Sequence, residues 1–231
     1  MEITEIHLPD GYVRLTLGSF GSSTGVASAS ISSVSSFCFF HHYRASLRLE
    51  KRPAAVLEIL KQAVANLSRL AIIRNPDASS THSQWHETSN AAHSLGLQPL
   101  SVEIRKPEDI NAALQAAKRE DANAILVLTD PVTYISRQQI VALTGKLRLP
   151  GIYPLGDFVE AGGLMSYGPN NEAQYRRAAY YVDKILKGAN AGDLPIEQPI
   201  KFELIINLKA AKQIRLTIPP NVLARADRVI K

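Results

Sequence analysis

Three turns of this 231-residue sequence carry polar side chains of the kinds that bind small molecules. Each turn follows a short apolar run, as expected where a buried strand ends. The turns combine amide, hydroxyl and carboxylate groups, which can hold a polar solute by hydrogen bonds. The candidate ligand-binding residues are Asn75, Asp77, Ser79, Ser80, Asp130, Tyr153, Gly156 and Asp157.

Apolar runs and amphipathic segments alternate around these turns. Strands are predicted within residues 69–76, 100–104, 122–131, 149–156 and 164–167, with helices between them, the clearest following Pro107. This alternation is typical of βαβ units with right-handed crossovers, so we predict an α/β fold with a parallel sheet. Ligands of such sheets bind outside the carboxyl ends of the strands, where the three turns lie.

Simpler interpretations exist for the same residues. Asn75 and Asp130 are also typical turn and helix-cap residues. One helix face has the spacing of metal ligands, with His82, His86 and His93 on it. No carboxylate or cysteine adds a further ligand, so we expect a polar helix and no metal. The single cysteine, Cys38, excludes an internal disulfide and a cysteine-based zinc site.

Composition and charge argue against several function classes. The 26 Lys and Arg residues exceed the 21 Asp and Glu residues by five, but they are scattered, so we expect no nucleic-acid partner. No apolar run approaches the roughly 18 residues of a membrane-spanning helix. The first twelve residues lack the positive start and apolar run of a secretory signal.

An enzyme would need a nucleophile with a base, and the sequence shows no such pair. The Ser-rich segment of residues 18–36 contains no Gly-x-Ser-x-Gly motif, and Cys38 has no assignable partner. We therefore predict no catalysis and no cofactor. Two alternatives stay open on fold grounds: an α/β hydrolase-like enzyme, and the effector-binding lobe of a transcription regulator. The latter would need a helix-turn-helix, which residues 1–50 do not show.

Several segments resemble one family closely. The stretches "AILVLTDP", "GGLMSYGPN", "KFELIINLKAAK" and "LTIPP" are similar, in this order, to the tryptophan/tyrosine-type substrate-binding proteins of ABC transporters. The resemblance covers residues 53–231. It implies the type I periplasmic-binding fold, in which two lobes enclose a small solute, and an extracytoplasmic protein that delivers this solute to a membrane permease. An amino-acid-like solute and a periplasmic location are therefore expected.

The resemblance also predicts a domain organisation. Residues 51–160 correspond to the second, ligand-binding lobe, which would be a three-layer structure around a parallel sheet. Residues 161–190 would return to the first lobe, and residues 191–231 would supply a closing strand, helix and tail to the second. Residues 1–50 are Ser/Gly-rich, do not match the family and stay unassigned, so the partner lobe is expected to be incomplete.

The sequence departs from the family pattern in two ways. The family has a first lobe of more than a hundred residues before the matching part, so we expect a truncated member or a sequence altered upstream of about Leu49. The second departure is Arg215, which stands where the family usually has glycine. If the backbone there has the positive φ that glycine tolerates, arginine costs about 1 kcal/mol.

Overall fold

The computed structural model describes residues 3–8, 11–16, 53–190, 193–195 and 202–231, except for the side chains of the two strands before residue 17 and of residues 171, 172 and 174. The Ser-rich segment, Cys38 and most of residues 1–50 lie outside this description. The chain divides into two compact units. The larger unit combines residues 46–169 with residues 201–231, and the smaller combines residues 1–45 with residues 170–200.

A seven-stranded sheet forms the centre of the larger unit. Its strands are β3 (Arg69–Arg74), β4 (Gln98–Glu103), β5 (Ala124–Val127), β6 (Gly151–Tyr153), β7 (Met165–Pro169), β8 (Phe202–Asn207) and β9 (Arg228–Ile230). They lie in the order β4-β3-β5-β6-β7-β8-β9. The first five are mutually parallel, and β8 joins β7 in antiparallel register, with Met165 opposite Ile206. The predicted α/β fold with a mostly parallel sheet is confirmed.

Eight helices of the described larger unit cover or cap this sheet. They are α1 (Pro53–Ala63), α2 (Ser79–Ser94), α3 (Asp109–Arg119), α4 (Pro131–Ile135), α5 (Arg137–Lys146), α6 (Gly156–Glu160), α8 (Leu208–Gln213) and α9 (Pro220–Leu223). The short helix α4 was not predicted as a separate element. Its start at Pro131 fits the preference of proline for the first helical position, where no backbone donor is required.

Two apolar cores lie on opposite faces of the sheet, which makes the unit three-layered. In β3, Leu70 and Ile72 join the core that contains α1 and α8, whereas Ala71 and Ile73 join the core that contains α3 and α5. This alternation follows from the two-residue period of a strand. Both faces are apolar because helices cover both, which explains the continuous apolar runs in the sequence.

The smaller unit contains an antiparallel pair of strands, β1 (Ile3–Leu8) and β2 (Gly11–Thr16), and the helix α7 (Asn171–Leu186), which contacts β1. Asn170 caps α7, and its side-chain oxygen accepts a hydrogen bond from the Ala173 amide at 2.7 Å. The unit boundary lies at Asn170 rather than at the expected residue 161. The reason is that β7 pairs with both β6 and β8 and so belongs to the larger sheet.

Arg215 follows the end of α8 with a φ of 60°, in the left-handed region. The amides of Arg215 and Leu216 donate to the carbonyls of Lys212 and Ala211, at 3.1 and 2.9 Å. This pattern is the helix ending that glycine normally occupies. The condition stated for a cost of about 1 kcal/mol, a positive φ at Arg215, is therefore met.

Candidate solute-binding site

The three predicted turns lie at one edge of the larger sheet. They follow β3, β5 and β6, which are parallel, so their carboxyl ends meet at the same edge. Each turn also begins a helix, since α2 follows the first, α4 the second and α6 the third. The sheet topology therefore brings all eight candidate residues to this edge, although their side chains serve different purposes.

The first turn is organised by Asn75. Its side-chain oxygen accepts from the Asp77 amide at 3.1 Å, and its backbone carbonyl accepts from the Thr81 hydroxyl. Asp77 is exposed and lies 3.5 Å from the Arg105 guanidinium. Ser79 and Ser80 occupy the first turn of α2, whose start has no side-chain cap. The Asn75 amide oxygen is thus used by the turn itself.

Asp130 has two distinct carboxylate oxygens. Oδ1 accepts from the Thr133 amide at 2.7 Å, while the Thr133 hydroxyl accepts from the Asp130 amide at 3.1 Å, and together these bonds form a capping box for α4. Oδ2 is buried and has no hydrogen-bond partner among the described residues. A buried carboxylate oxygen without a partner is costly, so a hydrogen-bond donor that reached Oδ2 would stabilise the folded protein.

The third turn is linked to the second by a hydrogen bond. The Tyr134 hydroxyl donates to Oδ2 of Asp157 at 2.8 Å, which joins α4 to the first turn of α6. Gly156 lies beside β8, and a Cβ atom at this position would come within 2.9 Å of the Ile205 side chain. Asp157 therefore holds two turns together, and Gly156 allows α6 to approach the sheet closely.

Tyr153 requires a correction. The sequence predicts that Tyr153 faces the cleft, but its side chain lies in the core on the α3 face, where the Thr144 hydroxyl is 3.0 Å from the Tyr153 hydroxyl. Burial raises the pKa of Tyr153 to about 12. Strand β6 has only three residues, and all of them are buried. The sequence therefore does not indicate on which face of the sheet the Tyr153 ring lies. Tyr153 can therefore offer a solute its backbone, but not its hydroxyl.

A pocket opens beside the carboxyl ends of β5 and β6, on the α2 face of the sheet, with a cavity volume of about 30 Å³. Of the eight candidate residues, only Tyr153 lines it. The other residues that line the pocket were not predicted from the sequence. Two of them, Gln84 and Thr88 of α2, are polar and buried. The lining residues are Pro53, Val56, Gln84, Thr88, Leu126, Val127, Leu128, Thr129, Ile152, Tyr153, Pro154 and Tyr167.

A larger cavity of about 130 Å³ lies at the opposite, amino-terminal edge, beside α5 and α8. Its buried polar groups are already bonded to one another: the Thr144 hydroxyl donates to the Val141 carbonyl at 2.9 Å and pairs with the Tyr153 hydroxyl. The carboxyl edge, with its unsatisfied polar groups, therefore fits a solute site better.

Other kinds of site find no support in the described part of the chain. No three histidine, cysteine or acidic side chains lie close enough there to hold a metal ion. The rings of His82 and His86 lie 5.3 Å apart on the surface of α2. None of the helices described is both long and apolar enough to cross a membrane.

Together, the three-layer fold and the polar carboxyl edge define a lobe of the periplasmic-binding class. Comparison with protein families agrees, because residues 50–230 match the sequence model of the ABC transporter substrate binding proteins. The chain belongs to this family. The resemblance found in the sequence is thereby confirmed. Members bind solutes, are generally non-enzymatic and are typically extracytoplasmic.

Solved structures agree with this assignment. A conserved domain protein from Vibrio cholerae is 25% identical, with a TM-score of 0.70 over 77% of this chain and 60% of that one. An ABC domain from Streptococcus pneumoniae in complex with L-Trp is 22% identical, with a TM-score of 0.69 over 77% and 62%. The ligand-free, open structure of a substrate binding protein with adhesive properties from Clostridium difficile is 20% identical, with a TM-score of 0.58 over 76% and 58%.

The chain spans about 60% of the length of these solved proteins. A comparison with curated protein sequences found no match.

Proposed function

We propose that this protein is the solute-binding component of an ABC import system. It binds a small, amino-acid-like organic solute at the carboxyl edge of the larger unit and delivers it to the membrane permease from the extracytoplasmic side. The observation that carries this proposal is the pocket beside β5 and β6, since it lies where a parallel sheet binds ligands and is lined by the polar side chains of Gln84 and Thr88. Family membership supports it.

The turns would form the rim of this site. Asp130 offers a buried carboxylate oxygen that suits the ammonium group of an amino-acid-like solute. The start of α2, with Ser79 and Ser80, offers hydroxyl groups and uncapped backbone amides to a carboxylate. Asn75, Asp77, Gly156 and Asp157 would hold the turns in place or contact the solute at the surface.

A thermal-shift screen with amino acids and other small organic solutes tests the proposal. A solute that binds the folded protein alone stabilises it by about 2.7 kcal/mol at a concentration of 100 Kd, which raises the melting temperature by several degrees. We expect at least one amino-acid-like solute to do so. No stabilisation by any solute, together with turnover of an ester or amide, would favour the enzyme alternative, and DNA retention that falls with salt would favour the regulator.

A pair of variants locates the binding. Thr129 is half-buried and lines the pocket. We expect Thr129→Trp to fill the pocket and abolish the shift. Thr217→Trp places the same side chain at an exposed position outside the pocket and should leave the shift unchanged. Equal shifts in both variants would move the binding site away from this edge.

A further inference from the structure

The buried face of α2 is polar. Thr81, Gln84, Thr88 and Ala92 are its buried residues, and three of these four carry a hydroxyl or an amide. A helix that packs on a sheet normally presents an apolar stripe. Local departures from such rules tend to occur at functional sites, because stability is lost there unless a ligand or another group compensates.

The three polar residues differ in their hydrogen bonds. The Thr81 hydroxyl donates to the carbonyls of the preceding turn, including that of Ala78 at 2.9 Å. Gln84 and Thr88 are each only 5% exposed, and neither side chain has a hydrogen-bond partner within the described residues. Both line the pocket at the carboxyl edge. Neither is among the fully buried polar atoms that lack a partner, so the amide and the hydroxyl are open to the cavity that both residues line.

The remaining walls define what these two groups can bind. The other lining residues are mostly apolar, among them Val56, Leu126 and Ile152, and every lining residue of the described chain is uncharged. An amide and a hydroxyl can each donate and accept hydrogen bonds. The cavity volume of about 30 Å³ exceeds the roughly 10–15 Å³ that one water needs, so a hydroxyl or carboxamide group fits, whereas a whole solute does not.

We propose that Gln84 and Thr88 select the solute by binding an uncharged, hydrogen-bonding end group, a hydroxyl or a carboxamide, in this pocket. The inference rests on the proposed function and specifies its solute class. A hydrocarbon end group would leave the buried amide and hydroxyl unpaired. A carboxylate or ammonium end group would lose its water without gaining an opposite charge. Both are therefore disfavoured.

Matched pairs of amino acids test the selection in the wild-type protein. Tyrosine and phenylalanine differ by a hydroxyl, threonine and valine by a hydroxyl in place of a methyl, and glutamine and glutamate by charge. In the pair whose carbon skeleton fits the site, the uncharged polar member should bind at least about tenfold more tightly than its partner, as measured by titration calorimetry. The reason is that the partner leaves the Gln84 amide or the Thr88 hydroxyl without a hydrogen bond. Equal affinities within every pair that binds would overturn the inference and leave the proposed function intact.

Isosteric variants assign the preference to α2. Gln84→Met and Thr88→Val keep the shape of each side chain and remove its polar group. We expect either variant to reduce the preference within the pair to about twofold, while the melting temperature of the ligand-free protein stays equal or rises. Gln115→Met, on the exposed face of α3, is the matched control and should change neither quantity.

Three further results would contradict the inference. Retention of the full preference in both variants would show that other residues select the end group. A lower melting temperature in both variants would indicate that the two side chains stabilise the fold instead. If no member of any pair binds but another solute of the thermal-shift screen does, the inference is wrong and the proposed function stands, whereas if no solute of the screen binds, both fail.

Discussion

Helices α2 and α3 cover opposite faces of one sheet, yet their buried faces differ in chemistry. The buried residues of α3 are Ile110, Leu114 and Ala117, whereas those of α2 are Thr81, Gln84, Thr88 and Ala92. Burial of apolar surface by α3 stabilises the fold directly. Burial of polar groups by α2 does not, unless they find partners. Both faces contain an apolar core and so maintain the fold, and we propose that the polar part of the α2 face also serves binding.

The starts of the two helices are both held by side-chain contacts with the preceding residues. A carboxylate oxygen of Asp109 accepts from the amides of Arg105 and Lys106, at 3.1 Å each, so the beginning of α3 is held by its own sequence. At the start of α2, the Thr81 hydroxyl donates to the Ala78 carbonyl at 2.9 Å, and neither helix has a side-chain cap at its N-cap residue. Proteins commonly give up stability where a site must accept a ligand. The comparison therefore predicts that substitutions on the two faces have opposite consequences for stability and binding.

The largest expected effect is on the α3 face. Leu114 is fully buried, so Leu114→Ala should lower the free energy of unfolding by about 2–5 kcal/mol through lost burial and the cavity left behind. Urea denaturation measures this loss. The affinity of the folded fraction for its solute should stay unchanged. Gln115→Ala, one residue along and exposed, should stay within about 0.5 kcal/mol of the wild type. A loss of affinity in Leu114→Ala would break the separation of the two faces.

The second prediction concerns pH and Tyr153, also on the α3 side. An unfolded tyrosine loses its proton near a pKa of 10.0, whereas the buried Tyr153 keeps its proton up to about 12. Its contribution to stability is therefore fully present below about pH 10 and is lost as the pH rises towards 12. In Tyr153→Phe, the decline in unfolding free energy over this range should be shallower by more than about 1 kcal/mol. Urea midpoints at several pH values measure it, and parallel declines would contradict the buried hydroxyl.

A third prediction separates two roles of Asp130 at the edge that both faces share. Asp130→Asn retains an oxygen for the cap of α4, so stability should change by less than about 0.5 kcal/mol. Asp130→Ala removes the cap and should cost about 1 kcal/mol in unfolding free energy. If Oδ2 binds the solute, both variants lose affinity, which calorimetry measures. Unchanged affinity in Asp130→Asn would restrict Asp130 to capping.

The smallest effect concerns Arg215 on the α2 side. Because its φ is 60°, Arg215→Gly should raise the unfolding free energy by up to about 1 kcal/mol. Arg119→Gly, in the last turn of α3, should lower it by a similar amount, since glycine is unfavourable within a helix. Thermal unfolding measures both. Solute affinity should stay the same in both variants. If it changes in Arg215→Gly, the positive φ of Arg215 also affects solute binding.

Much of the fold could be predicted because its signals are local. Buried strands such as β3 and β5 are short apolar runs, and α3 is recognisable from its apolar period and terminal charges. The meeting of the three turns at one edge also followed, because a parallel sheet exposes its carboxyl ends whichever residues occupy them. The placement of β7 could not be predicted, because it depends on pairing with β8, which is distant in the sequence.

The chemistry of the site was harder to predict. Gln84 lies within the segment "HSQWHE", and Thr88 directly follows it. The clearest pattern in this segment is the spacing of its histidines, which is that of metal ligands. The histidines are exposed, and the polar residues between them are buried. A helix with polar residues on every side has no apolar period to indicate which face is buried. The signal that could have identified them is this missing period in a helix between two core strands.

The most direct test of the two-face account is a two-dimensional NMR spectrum of the isotope-labelled protein with the most stabilising solute of the screen. The account predicts that the side-chain amide of Gln84 and the backbone amide of Thr88 shift on binding, while the backbone amides of Ile110 and Leu114 keep their positions. Shifts confined to α3, or to the amino-terminal edge of the sheet, would contradict it.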